Sequence, residues 1–359
     1  MKSNKRLLII TPLFFGDGSG ASIYYQLLAS ELMKEGFEVS VISDEEEGVF
    51  SGGYFPFFKK RAGQKKRKFY DLVAYFHQNI AYIKMIFLTK KLNPDFILVH
   101  SSFYNHISIF PFFVNQAMKL TPNAQWTADV RDKLLPSQKL NYLNNFFNVI
   151  ACSDNVRNYL IKNNIDKDKV STIPVIQAVI DSRNKNSDRK PVIRQYIIYV
   201  GAVKEDKAVD LLLDAYVDFV RPFFPKVDFI VVGLDKSSAG SRIKNLLDCE
   251  GVKYLGKLSH IESLSLMSNA MLCVNISPIE SISRVSLEAI SLQKPTLLPP
   301  NIPEYQECCP EFVVSEMTAP AIGCQMRELL ESQAIPNYPV INHSPDVVMK
   351  KYLTLFGAS

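Results

Sequence analysis

At 359 residues the chain is too long for one ordinary hydrophobic core and suits two domains of typical size. Its 47% apolar and 21% charged residues describe a folded globular protein and exclude a disordered one. The net charge is +5, and the six cysteines form no CxxC pair and no metal spacing with the five histidines, which points to a reducing compartment.

Met1 to Phe15 combines a basic tip with an apolar run, as a secretory leader would. Pro12 and the glycine-rich loop that follows suit a first strand better, and no apolar stretch approaches the roughly 20 residues of a spanning helix. A cytoplasmic protein is expected. Short β-branched and aromatic runs alternate with longer helical patterns, which predicts parallel sheets with crossover helices. The first set of strands is Arg6–Thr11, Glu38–Ser43, Phe96–His100, Gln125–Asp129 and Val149–Ser153. The polar segment Ser182–Arg194 reads as a linker. The second set is Tyr196–Gly201, Asp228–Gly233, Val252–Leu255, Met271–Ile276, Thr296–Leu298 and Phe312–Val314. The expected fold class is therefore α/β, with two doubly wound Rossmann-like domains over 1–181 and 195–343 and ligand clefts at their strand ends. The tail Pro345–Phe356 has helical spacing through Val347, Val348, Tyr352 and Phe356.

The most informative stretch runs from Val274 to Pro295: an apolar strand, a short polar turn and a helix. Glu280 lies in the turn and Glu288 on the helix, while Ser281 and Ser283 can cap the first helical N–H groups. A helix start favours a phosphate, and carboxylates beside it accept hydrogen bonds from sugar hydroxyls. Together these suit a nucleotide-sugar; a surface glutamate and a helix glutamate in an ordinary βα unit would also explain them.

The stretch resembles the signature of retaining family-four glycosyltransferases ("group 1"), E-G-F-G-x-x-x-x-E-A followed by K-P. Glu280, Arg284, Val285, Leu287, Glu288, Ala289, Lys294 and Pro295 match, and Ser281, Ile282 and Ser283 replace Gly-Phe-Gly. The resemblance implies a GT-B fold, two Rossmann-like domains facing across a cleft, with residues 344–359 forming a helix that returns to the first domain. It also implies that Glu280 holds the donor sugar, that Glu288 holds the ribose, and that no metal or other cofactor is needed.

Pro12–Ala21 is a glycine-rich loop between the first strand and a helical run. Gly18-Ser19-Gly20-Ala21 resembles the G-G-A-E loop of the same family, with Ser22 in place of the acid. Gly16-x-Gly18-x-x-Ala21 also satisfies the dinucleotide pattern, with Asp44 as ribose acceptor, although that turn normally begins nearer the strand end. In Val200–Asp210, Lys207 matches a family lysine that faces the diphosphate; Ala202 stands where an arginine belongs, and Ala208 replaces a glycine. Lys204 or Arg284 are the candidate replacements for the missing cation.

Asp129, Arg131 and Asp132 resemble a D-x-R-D variant found in part of the family at the end of the fifth strand. They could hold the acceptor or the reactive centre, or Asp and Arg could form an ion pair that fixes the loop. Tyr254-Leu255-Gly256-Lys257-Leu258 resembles a segment that contacts the base, and could equally be a plain connection. His100 ends a strand and reads as a structural hydrogen-bonder or a catalytic group. His77, His106, His260 and His343 have no partners at ligand spacing.

Seven of the ten residues Lys59, Lys60, Arg61, Ala62, Gly63, Gln64, Lys65, Lys66, Arg67 and Lys68 are cationic, and without those seven the net charge would be −2. Tyr54, Phe55, Phe57 and Phe58 precede them, and an amphipathic helix from about Phe69 to Lys91 follows. Such a segment suits an anionic inner-leaflet surface, with a solvated loop or nucleic acid as rivals; no nucleic-acid motif accompanies it. The expectation is a retaining, metal-independent glycosyltransferase of surface polysaccharide synthesis, peripheral on the membrane, acting on a saccharide or lipid-linked acceptor. The alternatives are an NAD-dependent oxidoreductase or epimerase, or a transferase-like protein that binds without turnover.

Overall fold

Each half of the chain builds its own parallel sheet, as near-continuous apolar strands covered on both faces require. The computed structural model describes residues 5–12, 14–15, 20–43, 50–56, 80, 82–101, 110–131, 140–177, 195–238 and 241–358. Two units result, Met1–Ile176 with Pro345–Ser359, and Gln177–Ser344. The linker expected at 182–194 lies outside the described residues.

The first unit contains β1 (Arg6–Ile10), β2 (Glu38–Ser43), β3 (Gly53–Pro56), β4 (Phe96–His100), β5 (Gln125–Val130), β6 (Asn148–Ala151) and β7 (Val170–Thr172). Their order is β3-β2-β1-β4-β5-β6-β7, so the chain reverses direction across the sheet between β1 and β4. Helices α1 (Gly20–Lys34), α2 (residues 82–92), α3 (Phe110–Leu120) and α4 (Asp154–Lys162) form the crossovers. In α2, Tyr82, Met85, Ile86 and Thr89 are buried, and the Tyr82 ring lies 5.1 Å from that of Phe113 in α3. The helical periodicity of this segment therefore serves the unit's own core, and only the opposite face of α2 meets solvent. Residues 57–79, which include the cationic cluster, lie outside the described residues.

The second unit contains β8 (Tyr196–Val200), β9 (Asp228–Val232), β10 (Val252–Tyr254), β11 (Leu272–Val274) and β12 (Thr296–Leu297), in the order β10-β9-β8-β11-β12. Its helices are α5 (Val209–Asp214), which continues as a π-helical turn over Ala215–Val220, then α6 (Arg242–Leu247), α7 (His260–Asn269), α8 (Arg284–Ser291), α9 (Pro303–Cys308) and α10 (Ala319–Ser332). Gly323 lets α10 lie against the π turn: a Cβ there would stand 2.4 Å from that of Phe219. The strand expected at Phe312–Val314 is replaced by a 3-10 turn, Pro310–Phe312, and one parallel bridge from Val313 to Leu298. Pro310 presets a helical φ at the start of that run and leaves too few residues for a ladder.

The last helix, α11 (Pro345–Leu355), belongs to the first unit. Val348, Met349 and Tyr352 on α11 and Phe356 just after it are buried, and Phe356 packs its ring 4.7 Å from that of Phe96.

Candidate functional site

In the second unit the strand order reverses between β8 and β11, and in doubly wound sheets ligands sit beyond the carboxyl ends of such a pair. Two loops leave there, one after β8 and one after β11. They meet side chain to side chain: Lys207 Nζ donates to Glu280 Oε1 at 2.6 Å, with both side chains about a quarter exposed. A cation and a carboxylate 73 residues apart are thus neighbours at the switch point.

The β8 loop is held from below. The Tyr199 hydroxyl donates to Ala202 O at 2.9 Å, and burial, with Glu280 next, pushes its pKa well above the usual tyrosine range. Gly233, at the end of β9, allows the β8 loop to pass, since a Cβ there would fall 1.7 Å from Gly201 O. Val203 bridges to Asp235, and Gly233 N donates to Gly256 O at 2.9 Å, so the loops after β8, β9 and β10 are stitched together. Neither candidate for the missing cation stands unengaged: Lys204 pairs with Asp206 at 2.7 Å, and Arg284 lies 3.4 Å from Glu288.

The turn after β11 ends at Ser283, the N-cap of α8, whose Oγ accepts from Ser286 N at 3.1 Å. Asn275 Nδ2 donates to the same oxygen at 2.7 Å, tying the strand end to the helix start. Ser283 thus does by side chain what the family glycine leaves undone; Ser281 and Ile282 are buried beside it. Val285 packs with Leu258 against the core cluster around Ile198, Val232 and Cys273, which sets the N-terminus of α8 against the segment after β10. Lys257 in that segment is exposed.

Glu288, one turn into α8, is 5% exposed. Its Oε1 accepts from His260 Nε2 at 2.9 Å and from Arg284 Nη2 at 3.4 Å. His260 was not legible as a site residue, because its partner lies 28 residues away on another helix. The available signal was Ser259-x-x-Glu262, a capping box that places His260 at the first position of α7.

In the first unit Asp129 and Arg131 form the ion pair, with Nε 2.6 Å from Oδ1 and Asp129 fully buried. The Tyr25 hydroxyl donates to Asp129 Oδ2 at 2.6 Å. Arg131 stacks 3.8 Å over the Tyr24 ring and donates to Tyr352 Oη on α11 at 3.0 Å and to Tyr24 Oη. Burial raises the Asp129 carboxyl, with Arg131 and Tyr25 opposing the rise. Of the two readings of this pair, the loop-fixing ion pair is the arrangement observed. Asp132, Gly18 and Ser19 lie outside the described residues, while Gly20 is the first residue of α1. Ser22 and Gln26 on α1 both donate to Phe14 O, at 2.9 and 2.6 Å, anchoring the loop after β1. Among the described residues no three His, Cys, Asp or Glu side chains converge as a metal site.

Residues 18–175 match the family described as Glycosyltransferase Family 4, and residues 181–313 match Glycosyl transferases group 1. The chain belongs to this family. Its fold is GT-B, shared with a Rickettsia africae glycosyltransferase at TM-score 0.69 and 17% identity over 99% of this chain and 98% of that one. Sucrose-phosphate synthase from Thermosynechococcus elongatus is equally similar, at 0.69 and 17% over 99% and 100%. Anabaena Alr3699/HepE, solved in complex with UDP and glucose, gives 0.64 and 14% over 99% and 100%. No curated protein matches significantly in sequence. Family membership favours the transferase reading of the Gly16–Ala21 loop over the dinucleotide one.

Proposed function

We propose that the protein transfers a sugar, with retained anomeric configuration and without a metal, from a nucleotide-sugar to a saccharide or lipid-linked acceptor of a surface polysaccharide. One observation carries the reading: Lys207 and Glu280 converge at 2.6 Å beyond the ends of β8 and β11. The ammonium is a point charge suited to a diphosphate, and the carboxylate accepts from sugar hydroxyls. A donor entering there exchanges the ion pair for two more specific contacts, phosphate on Lys207 and hydroxyls on Glu280. The N-terminus of α8, at Arg284 and Val285, adds its partial positive charge to phosphate neutralisation as the nucleoside diphosphate departs. Glu288 takes the ribose, and Lys257 and Leu258 border the base. Asp129 and Arg131 brace the β5 loop; by the family resemblance Asp132 is assigned to the acceptor, and Gly18, Ser19 and Gly20 to the donor.

Membrane attachment is part of this reading. It rests on the cationic cluster at Lys59–Lys68 and on the outward face of α2, where Ile83, Lys84, Phe87, Lys90 and Lys91 are exposed and no acid occurs. Such a face suits the headgroup level of an anionic inner leaflet.

Thermal shift against UDP- and GDP-sugars tests the donor site, UDP-sugars first because the Anabaena protein of the same fold is solved with UDP-glucose. Glu280→Ala should lower transfer about a hundredfold or more with the fold intact. Normal transfer by this variant would remove the site assignment, and stabilisation by NAD alone would favour the oxidoreductase.

A further inference from the structure

The two contacts that Glu288 makes fall on the same oxygen. Oε1 takes His260 Nε2 at 2.9 Å and Arg284 Nη2 at 3.4 Å, which fills both of its lone pairs, while among the described residues no contact falls on Oε2. A carboxylate only accepts, so His260 must carry its proton on Nε2. That oxygen is fully engaged by protein, and the other keeps two lone pairs. Two lone pairs on one oxygen match the two adjacent hydroxyls of a ribose.

The two donors differ in what they fix. Arg284 and Glu288 stand one turn apart on α8, so their contact moves with that helix. His260 comes from α7, whose first turn is pinned by Ser259 Oγ accepting from Glu262 N at 3.2 Å and Glu262 Oε2 accepting from Ser259 N at 3.0 Å. Among the described residues, only the His260 contact therefore ties the Glu288 carboxylate to a second element. Without it, among the described residues the carboxylate is held only from within its own helix, and its rotamer no longer fixes which oxygen faces away from α8.

We propose that His260 is a positioning residue that holds Glu288 with Oε2 free for the donor, and so makes the site select ribonucleoside over 2′-deoxyribonucleoside diphosphates. This rests on the reading of Glu288 as the ribose acceptor. A donor lacking the 2′-hydroxyl leaves a lone pair of Oε2 unmet on a carboxylate whose side chain is only 6% exposed, and the loss is felt as affinity.

Calorimetry with UDP, GDP and ADP and their 2′-deoxy forms tests it on the full chain. Whichever ribonucleotide binds wild type should do so about tenfold more tightly than its deoxy form. His260→Ala should weaken the ribonucleotide about tenfold more than the deoxy form, which has only the 3′-hydroxyl to lose, so the ratio falls to about one. His260→Gln, whose amide places an N–H where Nε2–H stands, should recover most of the ratio; a merely structural loss would weaken both nucleotides by the same factor and leave the ratio at about ten. If Glu288→Ala erases the ratio and His260→Ala leaves it intact, this inference is overturned while the ribose reading stands. If Glu288→Ala also leaves it intact, or no nucleotide binds, the donor-site reading fails and takes this one with it.

Discussion

His100 ends β4 with 4% of its surface exposed and its ring edge-on to Tyr25 at 5.1 Å. Burial, and then the Arg131 charge, lower its pKa to about 3. Folded protein thus holds it neutral, while the unfolded chain takes a proton below about pH 6.5. Stability is complete above that value and is lost as pH falls from about 6.5 toward 3, because the unfolded state binds more protons there. The loss attributable to His100 should reach about 2 kcal/mol by about pH 5. Trp126, the single tryptophan and buried in β5, reports this unit alone. Urea unfolding followed on its fluorescence should show His100→Asn with a flatter acid limb than wild type; equal slopes would mean that His100 is not held neutral. At this scale the sequence marked Glu280, Lys207 and Glu288 through their motif spacing. It was silent on the roles of Tyr24, Tyr25, Tyr352 and His260, which arise from partners 28 to 328 residues away.

Among the elements, the loop after β8 carries a local cost. Ala208 sits at φ 54°, ψ 36°, between the turn Glu205–Lys207 and α5. The left-handed region is unfavourable for any residue with a Cβ, and a glycine occupies this place in the family pattern. Ala208→Gly should therefore stabilise the second unit by about 1 kcal/mol, the relief of strain exceeding the added freedom of the unfolded chain. Chemical denaturation followed by far-ultraviolet circular dichroism would read this, and a destabilised variant would show the loop to be unstrained. Strands with strong β-branched runs, such as β2 and β4, have the boundaries their sequence predicts. β3 and β7 escaped notice because each is a short edge strand; β3, Gly53–Pro56, contains a glycine and a proline. Edge pairing tolerates residues that propensity disfavours, so pattern alone does not reveal it.

At the scale of the whole molecule, charge is concentrated in one stretch. Residues 50–120 hold eleven Lys or Arg and two acids, against +5 for the entire chain. Co-sedimentation with anionic vesicles should be strong at low salt, fall steeply as salt rises, and vanish with neutral vesicles. Absence of binding at low salt would remove the membrane claim. The family and both parallel sheets were legible because long apolar runs and the Glu280–Pro295 signature are local. What α2 does with its two faces was not, since periodicity cannot say which side meets the core: Tyr82 and Met85 turn inward, Ile83 and Phe87 outward.

The discontinuous make-up of the first unit affects biosynthesis. Its sheet is translated early, yet Tyr352 and Phe356, which seal Tyr24, Arg131 and Phe96, emerge after every strand of the second unit. On the ribosome, then, the seam of the earlier-made unit cannot close until the later-made unit has been synthesised in full.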